Sequence, residues 1–199
     1  MNTVSRNCLC GSWRLLFVIV IGQAIIIAQA DETYLQSKLN DYLTRDGYWS
    51  EIYAPESMTI GGKESFPSVM DAYVVRAKCG YGTVPGKWTE YLGGRAYIIC
   101  DGDQLDTTWS YHEFLYKEKY FTWVQREDGD ISNGAIVGGI NNNFERVFIC
   151  QFDYYDTERE LPEMLLGNLA PSTGVCTAGW NSEQYNSSVY NVLVDSRYC

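Results

Sequence analysis

Lys87 follows Pro85-Gly86 and precedes Trp88, which puts an ammonium beside an indole. An ammonium donates to hydroxyl oxygens and an indole can cover an apolar ring face, so the pair suits a sugar held at a Pro-Gly turn. Without a ligand, the same residues read as a surface turn lysine and a packing tryptophan. Asp101 and Asp103 flank Gly102 in a segment that reads as a loop after a strand. Their carboxylates suit sugar hydroxyls or a share in a calcium shell, although Asp101 to Asp106 lacks the twelve-residue calcium-loop pattern. Solvated turn acids are the competing reading. His112 is the single histidine and lies inside the run YHEFLY, where alternation turns it away from Tyr111 and Glu113. There is no Gly-x-Ser-x-Gly elbow, phosphate loop or dinucleotide fingerprint. Acidic pairs in so acidic a chain carry no hydrolase signal. The expectation is a protein without catalysis, cofactor or metal.

The compartment is read from the first thirty residues. Arg6 and Arg14 open the chain, Leu15 to Ala28 is an almost continuous apolar run, and Ala28-Gln29-Ala30 supplies a small-x-small site before Asp31. That is the order of a cleaved signal peptide over 1–30, and the run is shorter than a membrane span needs. No later stretch is apolar enough for stable membrane insertion, so a secreted, extracellular protein is expected. Without the leader, 13 Lys and Arg face 25 Asp and Glu, a formal charge of −12. Such a surface repels phosphate backbones, which excludes nucleic acid as a partner and leaves glycans or extracellular proteins. Asn186-Ser187-Ser188 is a sequon for N-glycosylation at Asn186.

These residues must be positioned by β-structure. Over 31–47, Tyr34, Leu35, Leu39, Tyr42 and Leu43 recur at helical spacing, which predicts a short N-terminal helix. After Tyr48, short β-branched and aromatic runs alternate with Gly, Asn, Asp and Pro. Strands are expected at 72–77, 95–100, 111–116, 120–125, 135–137, 146–152, 174–177 and 189–194. No helical pattern separates them, so the sheet should be antiparallel and the class all-β.

The order of signals repeats. Ile60-Gly61-Gly62 precedes AYVVRA, and Val137-Gly138-Gly139 precedes RVFICQF. Val84-Pro85-Gly86-Lys87 follows the first strand, and Leu161-Pro162-Glu163-Met164 follows the second. This predicts one pseudo-symmetric duplicated domain, with units at 48–119 and 120–199. Cysteines in an exported chain favour disulfides over a metal site. Pairing within repeats gives Cys79–Cys100 and Cys150–Cys176, while pairing between repeats, such as Cys79–Cys150, stays open. Cys199 is left over and stands free to join two chains as a homodimer.

Trp123-Val124-Gln125, Asn133 to Gly139 and RVFICQF, with Tyr73 to Ala77 and Pro85-Gly86-Lys87 in the first copy, resemble the DM9 repeat of the DUF3421 family. The resemblance covers roughly 49–194 and implies an internally duplicated all-β domain. It also implies mannose-type lectin activity in innate recognition, with dimers in some members. In mannose-binding members an Asp follows the Gly-Gly segment, and the Pro-Gly-Lys lysine contacts sugar. Here Lys63 and Ile140 occupy the Asp position, Lys87 keeps the lysine, and Met164 stands at its expected second-unit counterpart. The candidate sugar-binding residues are thus Lys87 and Lys63, at the positions the resemblance points to, with Trp88, Asp101 and Asp103 from the chemistry of the residues themselves. The alternative is an extracellular protein-interaction or structural module.

Overall fold

The computed structural model describes residues 48–65 and 68–198. Fourteen strands make up this region. The first seven are β1 (Trp49–Ser50), β2 (Ile60–Glu64), β3 (Met70–Cys79), β4 (Gly82–Thr89), β5 (Arg95–Cys100), β6 (Asp103–Asp106) and β7 (His112–Leu115). The second seven are β8 (Phe121–Glu127), β9 (Val137–Ile140), β10 (Arg146–Asp156), β11 (Leu161–Leu169), β12 (Cys176–Trp180), β13 (Glu183–Ser187) and β14 (Val189–Asp195). Every pairing between them is antiparallel, so the class is all-β. The short N-terminal helix is not supported. Its span, 31–47, lies outside the described residues, and among those described the helical elements are two three-residue 3-10 turns. The leader and Cys199 also lie outside. Among the described residues no helix is long and apolar enough to cross a membrane.

One pairing scheme runs twice. β2, β4 and β7 flank β3 in chain order as β9, β11 and β14 flank β10. Val75 faces Gly86 and Phe114, and Cys150 faces Gly167 and Val192. Trp49 faces Leu115 as Trp123 faces Leu193. The two halves then interlock. β2 meets β11 at Lys63 and Met164, and β9 meets β4 at Ile140 and Thr83. This close crossing explains the repeated Gly-Gly. A Cβ on Gly62 would lie 2.4 Å from the Met164 carbonyl oxygen, and one on Gly139 would lie 1.8 Å from that of Thr83.

The registers correct the alignment read from sequence. Gly86 corresponds to Gly167, so the counterpart of Lys87 is Asn168 and not Met164. Pro85-Gly86-Lys87 is not a turn; it lies within β4. Pro85 fits there because β4 changes neighbour at that point, from β9 at Thr83 to β5 at Gly86, so the missing N–H leaves no ladder partner waiting.

Both within-repeat disulfides form, Cys79–Cys100 and Cys150–Cys176, yet they are not symmetry mates. Cys150 and Cys176 stand where the first half has Val75 and Ala96, and Cys79 and Cys100 stand where the second has Tyr154 and Trp180. Each bridge joins the two strands flanking a third. Their Cα separations, 5.5 and 5.9 Å, are well short of the roughly 9.5 Å expected across a flat strand, so the sheet curls tightly around β4 and β11. Both faces of β3 are buried as a result. Val74 packs with Leu115, Ile149, Leu166 and Leu193, while Val75 packs with Met58, Tyr73 and Phe114.

Candidate functional site

Strand alternation decides which side chains share a face. Lys87 lies directly across from Val74 and Tyr97, whereas Trp88 lies across from Tyr73 and Ala96. Lys87 therefore points into a cavity of about 220 Å³ lined by Glu64, Thr89, Tyr91, Tyr97, Gln104, Arg159 and Trp180, with Asn181 and Ser182. Asn181 and Ser182 take positive φ in the two-residue β12–β13 turn, a conformation that Asn adopts readily. The cavity draws Glu64, Lys87, Tyr97 and Gln104 from the first half and Arg159 and Trp180 from the second.

Lys87 is 4 % exposed, and its ammonium pairs with the buried Glu64 carboxylate. The nitrogen also stands 5.1 Å from the Trp180 ring centroid and 6.0 Å from that of Tyr97, within cation–π range. An ammonium has three donors, and among the described residues Glu64 is its hydrogen-bond partner. Gln104 Oε1 is buried with no partner. The cavity thus sets an ammonium with unused donors beside two aromatic faces, while the unsatisfied Gln104 oxygen packs against Gly179. Burial pushes the Tyr97 phenol up, which keeps it a neutral hydroxyl.

Asp156 organises the second-half wall. Its Oδ1 accepts the backbone N–H groups of Glu158 and Arg159, closing the β10–β11 turn. Its Oδ2 accepts Arg159 Nη1 at 2.6 Å and Trp180 Nε1 at 3.3 Å. The Arg159 guanidinium, first among the causes, holds the Asp156 carboxyl below its ordinary range. Two further register pairs lengthen this hairpin relative to β3–β4, where the Cys79–Gly82 pair matches Tyr154–Glu163. That extension carries Arg159 to the cavity.

The other candidates lie elsewhere. Trp88 packs among Tyr53, Tyr73 and Phe114 on the opposite face of β4. Lys63 is exposed, paired in register with Asp71 and Met164, and points away from its neighbour Glu64. Asp101 begins the two-residue β5–β6 turn at φ 53°, and its Oδ2 accepts Asn142 Nδ2 at 2.7 Å. Asp103 is exposed at the start of β6. Cys79, Cys100 and Asp101 form a group with metal-ligand spacing, but both sulfurs are spent in the disulfide. His112 Nδ1 contacts the Ser110 carbonyl at 3.0 Å, and the ring packs edge-on against Phe114. Asn186 is exposed on β13. Tyr155 is exposed, whereas Trp180 is buried in the cavity wall.

Sequence reasoning missed Glu64 as the acid of the pair, along with Gln104 and Arg159. Glu64 stands one residue beyond the position searched after Gly61-Gly62. The strand character of IGGKE would have shown that Lys63 and Glu64 face opposite ways.

Comparison with known proteins agrees with this architecture. Residues 67–159 match the DM9 repeat, and a DM9-repeat domain is present there. Among solved structures the fold is similar to the crystal structure of the nematode sperm cell motility protein MFP2B, with a TM-score of 0.53 and 12 % identity. The match covers 73 % of this chain and 45 % of that one, so this chain spans less than half of that protein. At this identity the likeness is one of fold. Among curated proteins no match is found.

Proposed function

We propose that the protein is a secreted, non-catalytic recognition module that binds a polyhydroxylated ligand, a mannose-type sugar, in the Lys87 cavity. The carrying observation is the buried ammonium with donors to spare beside the Trp180 and Tyr97 rings. Sugar hydroxyls both donate and accept, and a sugar's apolar face suits an indole. The resemblance to mannose-binding members, read on Lys87, points the same way, with Glu64 supplying the acid. Two tandem DM9 repeats account for the doubled strand pairing. Two disulfides favour an oxidising compartment, in line with the leader-like first thirty residues. The test is a glycan array on the folded protein, with Lys87→Met alongside. A defined hit lost in the variant is expected; a blank array with folded protein sinks the reading.

A protein-interaction or structural module is the second reading, and the comparisons lean toward it: the similar solved fold belongs to a protein titled as a motility protein. Trp109, Ile52 and Tyr111 are large apolar side chains left 91 %, 68 % and 60 % exposed, and the Tyr111 hydroxyl donates to Glu51, the neighbour of Ile52. Sedimentation with and without reductant tests its disulfide-dimer form through Cys199. A monomer in both conditions removes that form.

A further inference from the structure

Glu163 is a buried acid that the ligand reading leaves unused. It is 3 % exposed and is not among the cavity's lining residues. Its Oε2 accepts the Ser65 backbone N–H at 2.7 Å, and Ser65 Oγ donates to the Pro162 carbonyl at 2.7 Å. The residue after Glu64 is thereby stitched to the start of β11. Glu163 Oε1 is buried without a partner.

The charges around it do not balance. The antiparallel register sets Glu64 of β2 across from Glu163, one step on from the Lys63–Met164 pair, and the charges of Lys87 of β4, Asp156 of β10 and Arg159 of the β10–β11 turn also act on it. Lys63 lies beside it on the neighbouring strand, exposed, and Tyr154 is its register partner. Arg159 neutralises Asp156. One ammonium then serves two carboxylates, Glu64 and Glu163. A buried carboxylate without its own cation is costly, and taking up a proton relieves the cost. Desolvation accordingly pushes the Glu163 carboxyl up, against the opposing pull of the Ser65 N–H. Oε1 is the oxygen left for the proton.

We infer that Glu163 is a proton-controlled positioning residue for the Lys87 cavity. This inference rests on the reading that the cavity holds a ligand. Neutral Glu163 leaves the Lys87 ammonium to Glu64 and to the ligand. Charged Glu163 attracts the ammonium from behind the lining and tightens the Ser65 stitch beside Glu64, so ligand affinity falls as pH rises through the Glu163 titration. By reciprocity the ligand raises the Glu163 pKa by the same factor. A coupling of one pKa unit is about tenfold in affinity.

The test has two arms. In the ligand-free wild-type protein, NMR of glutamate side-chain carboxyl carbons and of the Lys87 ammonium needs no variant and no sugar. One carboxyl should titrate above the ordinary 4.5, and the Lys87 signals should shift with it. In the second arm, methyl mannoside affinity is followed against pH for wild type and Glu163→Gln. The wild type should weaken about tenfold across the titration, while the variant should stay at the tight level throughout. The inference is overturned if the Glu163 titration leaves Lys87 unmoved, or if both proteins show one pH profile. Absence of methyl mannoside binding at every pH would instead count against the sugar reading, and the first arm would still decide the proton coupling.

Discussion

The two halves share a strand plan but differ in what they bury. In the first, Lys87 pairs with Glu64, and Arg76 pairs with Glu113 while its guanidinium stacks 4.3 Å from the Trp49 ring centroid. At the matching registers the second half has Asn168 and Asn141, then Gln151 and Asn191. Four charged groups are thus matched by four amides. Asn168 settles its side chain on the Ile99 carbonyl at 3.3 Å, so it offers no buried ion to a ligand. Where Trp180 walls the Lys87 cavity, the matching residue is Cys100, tied to Cys79. A buried ion pair is a poor way to gain stability. Under the proposed reading, the Lys87–Glu64 pair serves the ligand cavity rather than stability.

The largest expected break in this comparison is Lys87→Met. It strands Glu64 as a buried charge and should cost about 3–5 kcal/mol, read by urea denaturation, and it should abolish ligand binding. Asn168→Ala removes one neutral hydrogen bond and should cost about 1 kcal/mol with binding intact. Equal losses in the two variants would erase the distinction between the halves.

Next come the bridges. Cys150→Ser with Cys176→Ser opens a loop with a sequence separation of 26 and should cost about 3.5 kcal/mol. Cys150→Val with Cys176→Ala installs the residues the first half uses at the same registers. It should cost measurably less, because apolar packing replaces part of the lost restraint. Equal melting temperatures for the two double variants would show that the correspondence has no energetic content.

Trp180→Leu tests whether the second half contributes to the first half's cavity. Loss of the ring face should weaken ligand about tenfold in a titration, with a stability change smaller than that of Lys87→Met. Unchanged affinity would confine the site to the first half.

The smallest effect contrasts Asp195 with its counterpart Lys117. Arg197 holds the buried Asp195 carboxyl below its ordinary range. A depressed acid contributes stability that is present above its unfolded pKa and lost as pH falls through the folded value. Asp195→Asn should therefore flatten the acid limb of a melting-temperature profile and leave the neutral limb lower but parallel. An unaltered acid limb would assign acid sensitivity to other carboxylates.

Much of the fold was legible. AYVVRA, RAYIIC and RVFICQF announce strands because β-branched and aromatic residues crowd them, and all three lie within β3, β5 and β10. Six strands were missed, β1, β2, β4, β6, β11 and β13; of these, β4, β6 and β11 begin or run through Pro-Gly, Asp-Gly-Asp and Leu-Pro, which are turn signals by local chemistry. Tertiary neighbours override that chemistry at Pro85, where β4 changes partner. The site was less legible because Lys87 was placed on a turn that does not exist. Its acid was sought at Lys63, on the wrong face of β2. Trp180 arrives from the other half, 93 residues away in sequence, a distance that no local pattern reports.

The interlock of the halves has a consequence for synthesis. Lys63 waits for Met164, 101 residues later, and Thr83 waits for Ile140, 57 residues later. At about 5–20 residues per second, the free edge of β2 stays open for roughly 5–20 s of translation. The nascent first half spends that interval with unpaired backbone groups and uncovered glycines, so the chain's most vulnerable moment comes before its second half exists.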